Sequence, residues 1–201
     1  MDLVLATKNT GKVEELKALL ADMDVRVLSL RDFPDMPEVE ETGETFAENA
    51  EIKASTVART TGKLTLADDS GLEVDALGGR PGVQSARFGG PGASDRDKYL
   101  KLLELLEGVP DEARTARFRA AVCIATPEGE TVIVEGACEG VIAHEPAGEG
   151  GFGYDPIFYI PECGQTMAEI PSDVKNRISH RARAMHLAKR VLQQYLATGR
   201  L

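Results

Sequence analysis

Three features point to an α/β protein built on a mixed sheet. Short apolar runs alternate with segments of helical periodicity from the N-terminus onward. Strand, polar loop and helix follow one another within the first 23 residues. A two-stranded hairpin falls in residues 116–137, so the sheet cannot be purely parallel. With 201 residues, 42% of them apolar, there is material for one sizeable domain, or one with a lobe inserted. No repeat, low-complexity tract or linker divides residues 1–201, which read as a single catalytic domain.

Asp2 to Thr7 is apolar enough for a buried strand, and Val13, Leu16, Leu19, Leu20 and Met23 then recur at helical spacing. Val25 to Leu30 reads as a second strand, followed by an acidic, proline-bearing loop from Arg31 to Gly43. Thr45-Phe46-Ala47-Glu48 is a capping-box pattern. It opens a helix to about Arg59 with Phe46, Ala50, Ala54, Val57 and Ala58 as its inner stripe. Leu64 to Asp68 and Leu72 to Asp75 are expected as two short strands around an Asp69-Ser70-Gly71 bend. Ser94 to Asp97 caps a helix reaching roughly Glu107. Alternation from Ala116 to Ile124, a turn at Pro127-Glu128-Gly129 and a partner at Thr131 to Ala137 make the hairpin. A glycine-rich loop, Gly148 to Gly153, precedes the last helix, Ser179 to Leu196, whose inner stripe is Ala182, Met185, Ala188, Leu192 and Tyr195.

The net charge of −10 argues against nucleic acid as a general partner, because that binding draws on phosphate neutralisation. The charge is unevenly spread. Asp35 to Glu51 holds seven acids and no Lys or Arg, whereas Ser172 to Arg190 holds six Lys or Arg against Asp173. Such segregation suits a protein that holds a cation with one segment and a polyanion with another. No apolar run approaches the ~20 residues that span a bilayer. The N-terminal segment lacks the pattern of a secretion signal, and the three cysteines show no C-x-x-C pairing, so a cytoplasmic protein is expected.

Five segments can carry chemistry. Thr7-Lys8-Asn9-Thr10-Gly11-Lys12 links the first strand to the first helix, where backbone N–H groups and the helix dipole favour a phosphate. It is no Walker motif, since Ala6 and Val13 stand where a glycine and a magnesium-binding hydroxyl belong. Glu40-Glu41 and Asp68-Asp69 are the candidate ligands of a hard cation such as Mg2+, which takes few carboxylates and shares itself with substrate phosphates. Adjacent residues of an extended segment point to opposite faces, so one acid of the second pair is expected to face the site. Phe152-Gly153-Tyr154-Asp155 offers a ring for stacking and a carboxylate to accept hydrogen bonds. Lys175, His180 and Arg181 gather cationic donors before and at the start of the last helix. No arrangement marks a covalent nucleophile.

Taken in order, these stretches resemble the inosine triphosphate pyrophosphatase family, the dITP/XTP pyrophosphatases. The matching segments are Ala6 to Lys12, Glu40-Glu41-Thr42-Gly43, Phe46 to Ala50, Ala67-Asp68-Asp69-Ser70-Gly71-Leu72, Leu77 to Val83, Ser85-Ala86-Arg87, Phe152 to Pro156, and Lys175 followed by Ser179-His180-Arg181. The resemblance covers nearly the whole chain. It implies an elongated α/β fold with a twisted mixed sheet and a cleft between two lobes. It also implies Mg2+-dependent hydrolysis of ITP, dITP and XTP to monophosphate and pyrophosphate, and a homodimer. By position, it implies that Thr7 to Lys12 bind the triphosphate, that Glu40 and Asp69 contact the metal, and that Asp69 also activates water. Ser70 would touch the substrate, Phe152 to Asp155 hold the base and sugar, and Lys175, His180 and Arg181 reach base or phosphates. Gln84 and Phe88 replace frequent tyrosines, and Lys8 replaces a frequent glycine. Two rival activities draw on similar residues: a Maf-type pyrophosphatase for modified pyrimidine nucleotides, and a nucleotide-binding module without hydrolysis.

Overall fold

The computed structural model describes residues 1–201. Seven strands form one sheet, β1 (Asp2–Leu5), β2 (Arg26–Ser29), β3 (Leu64–Val74), β4 (Thr115–Ala125), β5 (Thr131–Ile142), β6 (Phe158–Ile160) and β7 (Gln165–Thr166), in the order β2-β1-β3-β4-β5-β6-β7. Five helices accompany it: α1 (Thr10–Leu19), α2 (Phe46–Thr61), α3 (Asp95–Leu105), α4 (Ser172–Ile178) and α5 (His180–Thr198). β1 pairs in parallel with β2 and β3, while β6 pairs antiparallel with β5 and β7. The mixed sheet expected from the hairpin is therefore present. The β4–β5 connection, closed by the Thr126 N–H donating to Glu130 O at 2.9 Å, is too short for a crossover.

Two compact units emerge. The first comprises Met1–Asp69, Ala120–Glu135 and Arg183–Leu201. Its core gathers Leu3 and Leu5 of β1, Leu64 and Leu66 of β3, Val122 and Ile124 of β4, Val13 and Leu16 of α1, and Ala184, Ala188 and Leu192 of α5. The second comprises Ser70–Arg119 and Gly136–Ala182. Its core gathers Leu72, Val74, Leu102, Leu106, Phe118, Ile142, Tyr154, Ile157, Phe158 and Met167.

The α2 boundaries follow from local chemistry. Thr45 Oγ1 accepts the Glu48 N–H, Glu48 reaches back to the Thr45 N–H, and Gly62 at φ +64° ends the helix in the left-handed conformation. The expected stripe of Phe46, Ala50, Ala54, Val57 and Ala58 is buried, joined by Asn49.

Three expectations need correction. The two short strands around Asp69-Ser70-Gly71 are a single strand, β3, because the ladder to its neighbours carries the backbone through Ser70 and Gly71 without a turn. β5 runs past Ala137 to Ile142, where its continuation pairs with β6. In α5 the buried small residue is Ala184, not Ala182. α4 was not expected at all, and it places Lys175 inside a short helix of its own.

Candidate active site

In the first unit, chemistry gathers at β3. Its two adjacent acids turn to different lysines, as strand alternation requires. The Asp68 carboxylate, only 3% exposed, accepts both hydrogen bonds from Lys12 Nζ, at 2.8 and 3.0 Å. Asp69 meets Lys53 of α2. The Lys53 ammonium donates to Asp69 Oδ1 at 3.2 Å, to Glu41 Oε1 at 2.9 Å and to the Asp68 carbonyl at 2.8 Å. These three acceptors use all three donors of an ammonium.

Asn49, one turn before Lys53 on α2, completes the cluster. Its Oδ1 accepts the Gly43 N–H at 2.8 Å, and its side chain hydrogen-bonds the Asp69 carboxylate. Gly43 must be small, since a Cβ there would press on Glu48 and Asn49 at 2.7–3.0 Å. The loop bearing Glu41 is thereby seated on α2. Glu40, its neighbour, is exposed.

The electrostatics follow from two acids sharing one ammonium. Burial pushes the Asp69 carboxyl above the usual carboxylate range. Lys53 pulls it back and the Glu41 carboxylate pushes it up again, and the net direction is up. Burial alone would lower the Lys53 pKa, but Asp69 and Glu41 more than offset it and raise it. The cluster thus presents hard carboxylate oxygens. No group of three or more His, Cys, Asp or Glu is arranged as a closed metal cage. Two carboxylates fit a hard divalent cation that takes its remaining oxygens from water and phosphate.

The loop from Thr7 to Lys12 is shaped by its own cap. Asn9 Oδ1 accepts the Gly11 and Lys12 N–H groups at 2.9 and 3.3 Å, and Thr7 Oγ1 accepts that of Asn9 at 3.2 Å. These amides, expected to cradle a phosphate, are engaged by Asn9. Lys8, Asn9, Thr10 and Gly11 are exposed, and the Lys8 carbonyl accepts from Arg31 Nε at 2.9 Å.

In the second unit a separate cluster forms around Phe152, which is 61% exposed. Lys175 Nζ lies 5.0 Å from its ring centroid and the Arg181 guanidinium carbon 5.9 Å from it. Both are within cation–π range. Asp155, buried, accepts from Lys175 Nζ and from the Phe152 N–H. Gly151, at φ +77°, has no room for a Cβ beside the Asp155 carboxylate. Tyr154 turns inward, its hydroxyl donating to Ser85 O at 2.8 Å, and burial pushes that hydroxyl's pKa up. Gly153 donates its N–H to Asp95. His180 stacks on Phe118, with ring centroids 4.9 Å apart. Ser70 follows Asp69 in β3 and is half-buried. Gln84 is exposed, while Phe88 packs against the second core beneath Lys101 Nζ, 5.1 Å from its ring.

The structure thus brings Glu41 together with Asp69, Lys12 together with Asp68, and Phe152 with Asp155, Lys175 and Arg181. Sequence reasoning missed Lys53 and gave Asn49 no role. A signal was present: both fall on the i, i+3, i+4 rows of the stripe formed by Phe46, Ala50, Ala54 and Val57, where a polar residue requires a buried partner.

The Ham1 family model matches residues 3–191. The chain is 57% identical over 184 residues to a dITP/XTP pyrophosphatase of Geobacillus kaustophilus, a match covering 92% of this chain and 90% of that one. It is 56% identical over 194 residues to a dITP/XTP pyrophosphatase of Desulforamulus reducens, covering 96% of each. Among solved structures, a HAM1 protein from Coxiella burnetii superposes with a TM-score of 0.92 at 42% identity, covering 96% of this chain and 99% of that one. The Staphylococcus aureus Ham1 protein gives 0.91 at 40% identity, with the same coverage.

Proposed function

Since the chain belongs to the Ham1 family, we propose that it hydrolyses deaminated purine nucleoside triphosphates (ITP, dITP and XTP) to the monophosphate and pyrophosphate. The observation that carries this reading is the acid pair, Glu41 from its loop and Asp69 from β3, sharing the single ammonium of Lys53 on α2. Relatives bearing the name dITP/XTP pyrophosphatase across nearly the full length support it.

Asp69 and Glu41, with Glu40 beside them in the loop, would hold a divalent cation, Mg2+ in our reading. Bound there, it supplies charge neutralisation at the phosphates. The chain's own groups do the rest. Asp69, its carboxyl raised by burial and by Glu41, accepts the proton of the attacking water. Lys53 and Asn49 hold that carboxylate in place. Lys12 and Lys8, with the Thr7 and Thr10 hydroxyls, take charge on the triphosphate and the leaving pyrophosphate. Because Asn9 occupies the Gly11 and Lys12 amides, side chains rather than backbone carry that binding. Phe152 stacks on the base, while Lys175, His180 and Arg181 supply donors to a 6-oxo purine or to phosphate, and Asp155 orients Lys175. Ser70 contacts the substrate. Tyr154 supports the loop from beneath.

Residues 1–201 act in this reading as one catalytic domain, assembled as a homodimer and working on the cytoplasmic nucleotide pool. No helix is long and apolar enough to cross a membrane. The test is Asp69→Asn, which keeps the shape but removes the base. Turnover of ITP should fall by about 10²–10⁴-fold while equilibrium nucleotide binding persists. Near-normal turnover in that variant removes Asp69 from the chemistry. Chelation with EDTA should abolish turnover, and added Mg2+ should restore it.

A further inference from the structure

Asp95 lies in the first turn of α3, where an acid ordinarily serves the helix end. Here that end is already served. Asp97 accepts the Ser94 N–H at 2.9 Å and hydroxyl at 2.6 Å, and Ser94 Oγ accepts the Asp97 N–H at 3.2 Å. With the capping box closed by Ser94 and Asp97, the Asp95 carboxylate is turned to other partners. Oδ1 accepts from Lys98 Nζ at 3.0 Å, and Oδ2 accepts the backbone N–H of Gly153 at 2.7 Å. The second bond is a short, charge-assisted contact to a residue far along the chain.

In the loop it reaches, Asp95 is the acceptor of the Gly153 N–H. Gly150, Gly151 and Gly153 flank Phe152, and glycine gives a backbone its greatest freedom. Phe152 is 61% exposed, and its ring is met by the Lys175 and Arg181 cations on one side of the loop. The hydrogen bond from the Phe152 N–H to Asp155 links that side of the tip, through the Asp155–Lys175 ion pair, to α4, and leaves the Gly153 amide to a separate acceptor. Gly150 is tied on one side to Ala168 O at 3.1 Å, and Tyr154 on the other to Ser85. Asp95 holds the apex between them.

We propose that Asp95 is a positioning residue for base recognition, tethering the Gly153 amide so that Phe152 and Asp155 stand where the purine is read. This rests on the reading of Phe152 to Asp155 as the base-holding segment. Asp95 touches neither substrate nor reacting atoms. It acts through the loop, so its removal should affect binding and selectivity before chemistry.

The experiment compares Asp95→Ala, Asp95→Asn and Asp97→Ala in the full chain. Asp95→Ala should raise KM for ITP about tenfold and narrow the preference for ITP over ATP, with kcat changed less than about twofold. Asp95→Asn keeps an oxygen that can accept the Gly153 N–H and should restore KM to near the original value. Asp97→Ala breaks the capping box and should lower Tm without raising KM. An unchanged KM and selectivity in Asp95→Ala, or an equal rise in Asp97→Ala, overturns the proposal. Hydrogen exchange over residues 150–155 provides a readout that needs no activity. Faster exchange in Asp95→Ala than in Asp97→Ala supports the tether, and equal exchange overturns it. If the unaltered protein fails to hydrolyse ITP, the functional reading falls, and the exchange measurement still decides the tether.

Discussion

Lys53 gives the acid cluster its character. Without it, Glu41 and Asp69 would lose the donor they share. With it, they are drawn to one point, and the Asp69 carboxyl still stands above its usual range. A different pairing shows the opposite balance. Asp75 accepts two hydrogen bonds from Arg117, at 2.8 and 3.0 Å, and one from Thr115 at 2.7 Å. The Arg117 and Thr115 hydrogen bonds hold its carboxyl below the usual range. A depressed folded pKa contributes stability above the unfolded value of about 4, lost as pH falls through the folded pKa. Asp75→Asn should therefore unfold at a lower temperature than the unaltered protein at pH 7, with the gap closing below about pH 4. A gap that stays constant to pH 2 would contradict the assignment. The Asp68-Asp69 pair stands out in the sequence as candidate cation ligands, with one acid of the two expected to face the site. For Lys53 the stripe of α2 gives only its place on the inner face, because its partners come from a loop and a strand elsewhere in the chain.

Where elements begin and end was largely written in local chemistry. Caps announced α2 and α3, and alternation announced β4. β3 was misread as two pieces because Asp69-Ser70-Gly71 has turn composition, and only pairing with β1 and β4 overrides that propensity. α4 was missed because seven residues after a proline are too few to show a period. The Gly148–Gly153 loop was recognised from its glycines, but the reason for each lies in what its missing Cβ avoids. At Gly151 the positive φ and the adjacent Asp155 carboxylate both forbid a side chain. Gly151→Ala should displace Asp155 from Lys175 and lower kcat/KM for ITP at least about tenfold, at a stability cost above about 1 kcal/mol. Unaltered kinetics in that variant would detach the loop from substrate recognition.

Across the whole chain, a net charge of −10 would repel a triphosphate, so binding must rest on local arrangements of charge and not on the sum. In the proposed reading Lys12, beside Asp68 in the first unit, and Lys175 and Arg181, around Phe152 in the second, supply such arrangements. Each unit carries its own apolar core beneath them. The general class and the mixed sheet were readable from periodicity and the hairpin, and the family from the ordered set of motifs. The partners of individual side chains were not, because they depend on contacts between segments distant in sequence. The cleavage that releases pyrophosphate from a deaminated purine triphosphate is tested by following the phosphorus products of ITP and ATP turnover by the unaltered protein with Mg2+. Monophosphate and pyrophosphate should form in equal amounts, with no free phosphate as first product and a kcat/KM for ITP about a hundredfold or more above that for ATP. Free phosphate as the first product, or equal turnover of ITP and ATP, would contradict it.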